Sequence, residues 1–102
     1  MILSDKSILK ELRKGSIIIN PFRRNCLGSN SYDVHLGKVL AIYKDKILDP
    51  KKHNKTEIIT IPENGITLYP NEIYLSVTEE YTETHNHVPF LDGKSSIGRL
   101  GI

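Results

Sequence analysis

Apolar and polar residues alternate along this chain with two different periods, and the change between them comes early. Ile8, Leu9 and Leu12 fall on one helical face, with Lys6, Lys10, Glu11, Arg13 and Lys14 mostly elsewhere. Ser4 is a good N-cap and Gly15 a good residue just past a helix end, so the pattern predicts one amphipathic helix over residues 5–14. The run Ser16-Ile17-Ile18-Ile19-Asn20 is β-branched and stops at Pro21, which predicts a short strand. Residues 21–30 carry Pro, Asn, Gly and Ser and predict a loop. Tyr32, Val34 and Leu36 then alternate with Asp33 and His35, which is strand periodicity with Asp33 and His35 on one face. Gly37 marks a turn or bulge, and Val39 to Tyr43 predicts a further strand.

The polar stretch from Lys44 to Thr56 contains Pro50 and Asn54 and reads as an exposed loop. Three short strand candidates follow at Glu57–Ile61, Ile66–Leu68 and Glu72–Thr78. In the last of them Ile73, Leu75 and Val77 alternate with Tyr74, Ser76 and Thr78, so one face is expected to be buried. Pro62-Glu63-Asn64-Gly65 and Tyr69-Pro70-Asn71 supply the turns between these strands. One helix followed by at least five short strands defines a mostly β domain, either a sandwich or a partly open barrel. The chain has 102 residues, which is one domain at most, with a thin core that oligomerisation would help.

Charge is distributed unevenly. Residues 1–55 hold 12 Lys and Arg against 5 Asp and Glu, whereas residues 56–102 hold 2 against 7. The basic residues are dispersed and lack the interleaved aromatics of a stacking platform, so no nucleic-acid face is expected. Opposite charges meeting across a subunit interface, or two solvated faces, account for the asymmetry. No apolar run approaches the roughly 20 residues needed to span a bilayer. Asp5, Lys6 and Lys10 interrupt any secretory core at the N-terminus, and the single cysteine, Cys26, cannot form an internal disulfide. A cytosolic protein without a membrane partner is the expectation.

Candidate chemistry concentrates in Gly93-Lys94-Ser95-Ser96-Ile97-Gly98-Arg99-Leu100-Gly101. Small residues let backbone approach an anion, hydroxyls and amides donate to its oxygens, and Lys and Arg neutralise its charge. The same residues would also suit a polar turn that reverses the chain after Pro89-Phe90-Leu91. A second cluster is Glu79, Glu80, Glu83, His85 and His87. A His-x-His beside carboxylates can bind Zn²⁺, but such sites need three or four converging ligands. The neighbouring Asn, Thr and Pro predict a loop there, and no zinc site is expected. Cys26 has no partner motif and is expected to pack in the loop or beside the helix.

The segment from Gly93 to Gly101 resembles the Gly-Arg-Ser-Ser-x-x-Arg-Leu-Gly signature of dCTP deaminases, within the dUTPase superfamily. Met1-Ile2-Leu3-Ser4-Asp5 resembles that family's start. Asn30-Ser31-Tyr32-Asp33-Val34-His35-Leu36-Gly37 resembles its early Ser-Tyr-Asp-Val-Arg-Leu-Gly segment, with His35 where the family usually has Arg. The resemblance implies a distorted jelly-roll, or β-clip, core assembled as a homotrimer. Residues 1–102 would be the N-terminal part of one such domain, incomplete at its C-terminal side.

It also implies nucleotide contacts at Lys94, Ser95, Ser96 and Arg99, with dCTP or dUTP as ligand and Mg²⁺ carried on the triphosphate. Lys94 stands where the family usually has Arg, so it would bind phosphate as a point charge without the bidentate fork. The zinc-deaminase elements His-x-Glu and Pro-Cys-x-x-Cys are absent, so the implied deamination is zinc-independent. The family's general-base Glu lies beyond the Ser-Ser motif, in a segment these 102 residues do not include. The expectation is therefore a dCTP deaminase, forming dUTP and ammonia, whose present stretch is inactive by itself. The alternatives are a dUTP diphosphatase, a bifunctional deaminase and diphosphatase, or a non-catalytic nucleotide-binding module.

Overall fold

The first helix forms because both of its ends are satisfied locally. In the computed structural model, which describes residues 1–102, α1 spans Asp5–Lys14. The Ser4 side chain accepts a hydrogen bond from the Ser7 amide at 3.3 Å. Gly15 ends the helix in the left-handed region, at φ 81°, where an L side chain is disfavoured. Asp5 lies in the first turn and Arg13 and Lys14 in the last, each complementing the helix dipole. Ile8 is the buried residue of the helix, whose apolar face packs on strand β1 (Ile17–Asn20).

Residues 21–35 follow without a regular strand. They contain a short 3₁₀ turn at Arg24–Cys26 and an isolated bridge between Leu27 and Tyr32. The strand expected from Tyr32 to Leu36 is corrected here. The alternation of Tyr32, Val34 and Leu36 does not reflect a ladder, because the segment's hydrogen bonds go to the turn and to side chains: Asp33 N–H donates to the Cys26 carbonyl and His35 N–H to Glu80.

Strand β2 (Leu36–Tyr43) is the centre of a three-stranded antiparallel sheet in the order β3-β2-β4. Its neighbours are β3 (Thr56–Thr60) and β4 (Tyr74–Thr78). Leu40 faces Ile59 on one side and Ser76 on the other, and at 3% exposure it is the most deeply buried apolar residue. The β2–β4 register shifts between Leu36 and Leu40. Gly37 sits in that irregularity, where an added Cβ would lie 2.8 Å from the Val77 carbonyl oxygen.

A second sheet pairs β1 with β5 (Tyr81–Thr84), with Ile17 opposite Thr84 and Asn20 opposite Tyr81. Glu79 and Glu80 are the only residues between β4 and β5, so the chain passes from one sheet to the other through this dipeptide. Ile66–Leu68 forms no strand; the Tyr69 amide instead donates to the Tyr74 hydroxyl, and Asn71 takes a positive φ of 64° that turns the chain. A one-turn helix, α2, closes the described chain at Ser95–Gly98.

The five strands and short helix make the mostly β arrangement expected, open rather than closed into a barrel. No helix is long and apolar enough to cross a membrane. The radius of gyration is 16.6 Å, against about 13 Å for a compact chain of this length. Only six residues are buried, so the two sheets do not enclose a core of ordinary size.

Candidate functional site

The crossing dipeptide builds a polar cluster from parts distant in sequence. Glu80 is buried, with no exposed side-chain area. Its Oε1 accepts the His35 backbone N–H at 2.8 Å, and its Oε2 lies 2.6 Å from His35 Nδ1. A carboxylate can only accept, so Nδ1 carries the proton in this pair. Arg23 Nη1 stands 3.3 Å from the same Nδ1 and 3.9 Å from Glu80 Oε2. Two donors cannot bond each other, so Arg23 serves the carboxylate and not the ring. Its other terminal nitrogen lies 3.5 Å from Glu79 Oε1. Burial drives the Glu80 carboxyl upward, but the ring and amide donors of His35 outweigh that and leave it below its ordinary range.

The same cluster immobilises the loop that precedes β2. The Glu79 amide donates to the His35 carbonyl at 2.8 Å, so His35 is held through its amide, carbonyl and ring. The Arg23 amide donates to the Tyr32 hydroxyl at 2.9 Å, and Tyr32 stacks on Phe22 with ring centroids 5.5 Å apart. Burial raises the Tyr32 phenol above its usual range. Asp33 lies between these anchors. Its own amide donates to the carbonyl of buried Cys26 at 2.9 Å. Asp33 and His35 therefore do not share a strand face as their alternation predicts; each is committed to its own partner.

Lys94, Ser95, Ser96 and Arg99 lie within one helical turn and its flanks, all exposed. Lys94 caps the turn, its carbonyl accepting from the amides of Ile97 and Gly98. Its ammonium reaches back to Asp33, with Nζ to Oδ2 at 2.5 Å. That hydrogen bond and the Asp33 charge raise the Lys94 ammonium above the ordinary lysine range. The segment thus carries two exposed hydroxyls, an exposed guanidinium and a tethered ammonium within six residues, donor types suited to an anion.

The second sequence cluster does not converge. His85 Nε2 lies 3.6 Å from Glu83, Glu80 is taken by His35, and His87 Nε2 points to Glu11 on α1 at 3.7 Å. These residues do not form a loop throughout: Tyr81–Thr84 is strand β5. Alternation of Tyr and Glu with Thr was the local signal for it, masked by the charges on either side. Glu11 joins the helix to the ribbon, accepting from the hydroxyl of buried Ser16. That hydrogen bond first, then the charges of Lys14 and His87, hold the Glu11 carboxyl below its ordinary range against the effect of burial.

Sequence comparison agrees with the arrangement of these motifs. The family model described as dCTP deaminase-like matches residues 2–102. The chain belongs to the dCTP deaminase-like family. It is 50% identical over all 102 residues to a protein of Clostridium acetobutylicum named "dCTP deaminase, dUMP-forming", covering 58% of that relative. It is 49% identical over its whole length to a protein of the same name from Hathewaya histolytica, covering 59% of it. A Rhodopirellula baltica protein named "dCTP deaminase" is 44% identical over the whole chain, which covers 51% of that relative. The chain thus spans somewhat more than half the length of the curated relatives it matches.

Proposed function

We propose that this chain supplies the triphosphate-binding part of a cytosolic dCTP deaminase, with Lys94, Ser95, Ser96 and Arg99 as its nucleotide contacts. What supports this reading is an exposed turn carrying two hydroxyls and two cations within six residues, in a chain whose residues 2–102 match the dCTP deaminase-like family. Arg99 holds a planar, permanently charged fork for phosphate oxygens, and Lys94 adds a point charge. Mg²⁺ arrives with the substrate, coordinated mainly by the nucleotide's own oxygens. The proposed deamination is zinc-independent, as the family resemblance implies.

Deamination at cytosine C4 needs an activated water and a group that carries its proton to the departing ammonia. A buried carboxylate raised toward neutrality suits that task. Glu80 is buried, but His35 and Arg23 hold it as a carboxylate on the low side, so it is a structural anion here. The family resemblance puts the general-base Glu beyond the Ser-Ser motif, outside residues 1–102, and these residues alone are expected to bind without turnover.

The relatives' names favour one of the alternatives for the product. The name "dCTP deaminase, dUMP-forming" supports a bifunctional reaction, in which dCTP and two waters give dUMP, ammonia and pyrophosphate. Assembly as a homotrimer with nucleotide sites between subunits is part of the same reading, and the small number of buried residues and the exposed apolar side chains Ile58 and Val77 are consistent with association. The decisive experiment follows dCTP turnover by the full-length enzyme, with ammonia and pyrophosphate measured together. Ammonia with equimolar pyrophosphate supports the bifunctional reading. Ammonia alone supports a dUTP-forming deaminase, and pyrophosphate from dUTP without ammonia from dCTP supports a diphosphatase. Arg99→Ala should weaken dCTP binding about tenfold or more, as loss of a charge-assisted phosphate contact does; unchanged affinity removes Arg99 from the site.

A further inference from the structure

Lys94 is held by a residue 61 positions earlier in the chain, and that residue is itself fixed. The Asp33 amide donates to the Cys26 carbonyl at 2.9 Å. Two residues on, His35 is clamped by Glu80 through amide and ring, at 2.8 and 2.6 Å, and by the Glu79 amide at 2.8 Å. Asp33 therefore stands on a rigid support although it lies in no strand. Lys94 lies at the opposite extreme, at the end of residues 86–94, which have no regular structure, on a flexible four-carbon stem. Its one side-chain partner is Asp33.

We propose that Asp33 is a positioning residue for phosphate recognition: its carboxylate restrains the Lys94 ammonium in one place before nucleotide arrives. The inference rests on the reading of Lys94 as a phosphate contact. An ammonium has three N–H donors. Asp33 takes one and leaves two for phosphate oxygens. The tether removes stem freedom that binding would otherwise have to remove, which is the general advantage of a preorganised site. Against this, the Asp33 charge repels the incoming anion. Both side chains are about half exposed, and water and salt screen that repulsion strongly. Screening weakens the tether too, but a direct hydrogen-bonded contact at 2.5 Å is weakened less than repulsion across the longer distance to a phosphate, so the orienting effect prevails.

The test titrates the full-length protein with inorganic triphosphate and with dCTP, comparing the unaltered chain with Asp33→Asn, Asp33→Glu, Lys94→Ala and the double variant Asp33→Asn/Lys94→Ala. Asp33→Asn should weaken both ligands by about threefold to tenfold, the range of an exposed ion pair and one ordered side chain. Asp33→Glu should recover most of the loss, and Asp33→Asn should add nothing once Lys94 is gone. The Lys94 Nζ resonance should move between the unaltered protein and Asp33→Asn without any ligand, a direct readout of the pair. Binding by Asp33→Asn as tight as or tighter than the unaltered protein overturns the proposal, as does an equal loss in the Lys94→Ala background or a silent Nζ resonance. Lys94→Ala separates the two levels. If it weakens triphosphate binding while Asp33→Asn does not, the phosphate site stands and Asp33 has no role in it. If Lys94→Ala changes nothing, the phosphate reading of Lys94 fails and the positioning role falls with it.

Discussion

Glu80 shows how much one side chain can organise when it is buried and fully partnered. A buried carboxylate without donors would be costly to fold; here three groups from two other segments face it, the His35 amide, the His35 ring and Arg23. Glu80→Ala should leave the His35 amide and ring without their acceptor and destabilise the protein by roughly 1–3 kcal/mol, read by urea unfolding at neutral pH. A loss within error would show that water replaces the carboxylate freely. The pH dependence has a fixed sign. The folded-state pKa of Glu80 is lowered from 4.5, so its contribution is complete above that value and is lost as acid takes pH down through the lower folded value. Glu11 is lowered in the same sense and adds to the same acid limb. Glu80→Gln should flatten that limb in part. Sequence reading grouped Glu80 with Glu79, Glu83, His85 and His87 and expected no metal there, but it could not reveal the burial of Glu80, because its partner His35 lies 45 positions away. The tether of Lys94 to Asp33, 61 positions apart, was likewise invisible in the sequence.

At the scale of elements, legibility follows how local the stabilising interactions are. α1 was readable to its ends because Ser4 and Gly15 cap it within a few residues. β1 was readable because three consecutive isoleucines leave little else. Residues 32–35 misled because polar side chains from Glu80 and the Cys26 turn satisfy their backbone, which alternation cannot reveal. β5 was missed because its partner β1 lies more than 60 residues earlier. Two glycines test these elements separately. Gly15→Ala meets no atom within 4 Å, so its cost is only that of placing Ala in the left-handed region, roughly 1–2 kcal/mol. Gly37→Ala instead drives a methyl to 2.8 Å from the Val77 carbonyl oxygen, so β2 and β4 must part at their irregular register. Amide exchange should report the difference. Gly15→Ala should loosen the last turn of α1, and Gly37→Ala should speed exchange in β4 while leaving α1 as it was. Equal effects on both regions would mean that the two elements unfold as one unit.

The whole molecule leaves apolar surface that its own strands do not cover. Register places Ala41 beside Ile58 on one side and Leu75 on the other, and the two-residue period puts Val39 and Val77 on that same face. Ile58 and Val77 are 65% and 64% exposed, whereas Leu40 on the opposite face is covered. An apolar face of this kind is suited to association. The proposed homotrimer would cover it, and the uneven charge along the chain would assist: the first 55 residues are basic and the remainder acidic. The two contributions respond differently to salt. Association held by the apolar face survives high ionic strength, where exposed charge pairs are screened. Sedimentation of the full-length protein should therefore show a concentration-dependent assembly that persists in high salt. Ile58→Lys and Val77→Lys should each shift it toward the monomer without lowering monomer stability, because neither side chain contributes to the chain's own core. Dissociation by salt alone would place the contact among the charged residues. An assembly indifferent to both substitutions would free this face from any interface and leave its exposure to be met by another part of the polypeptide.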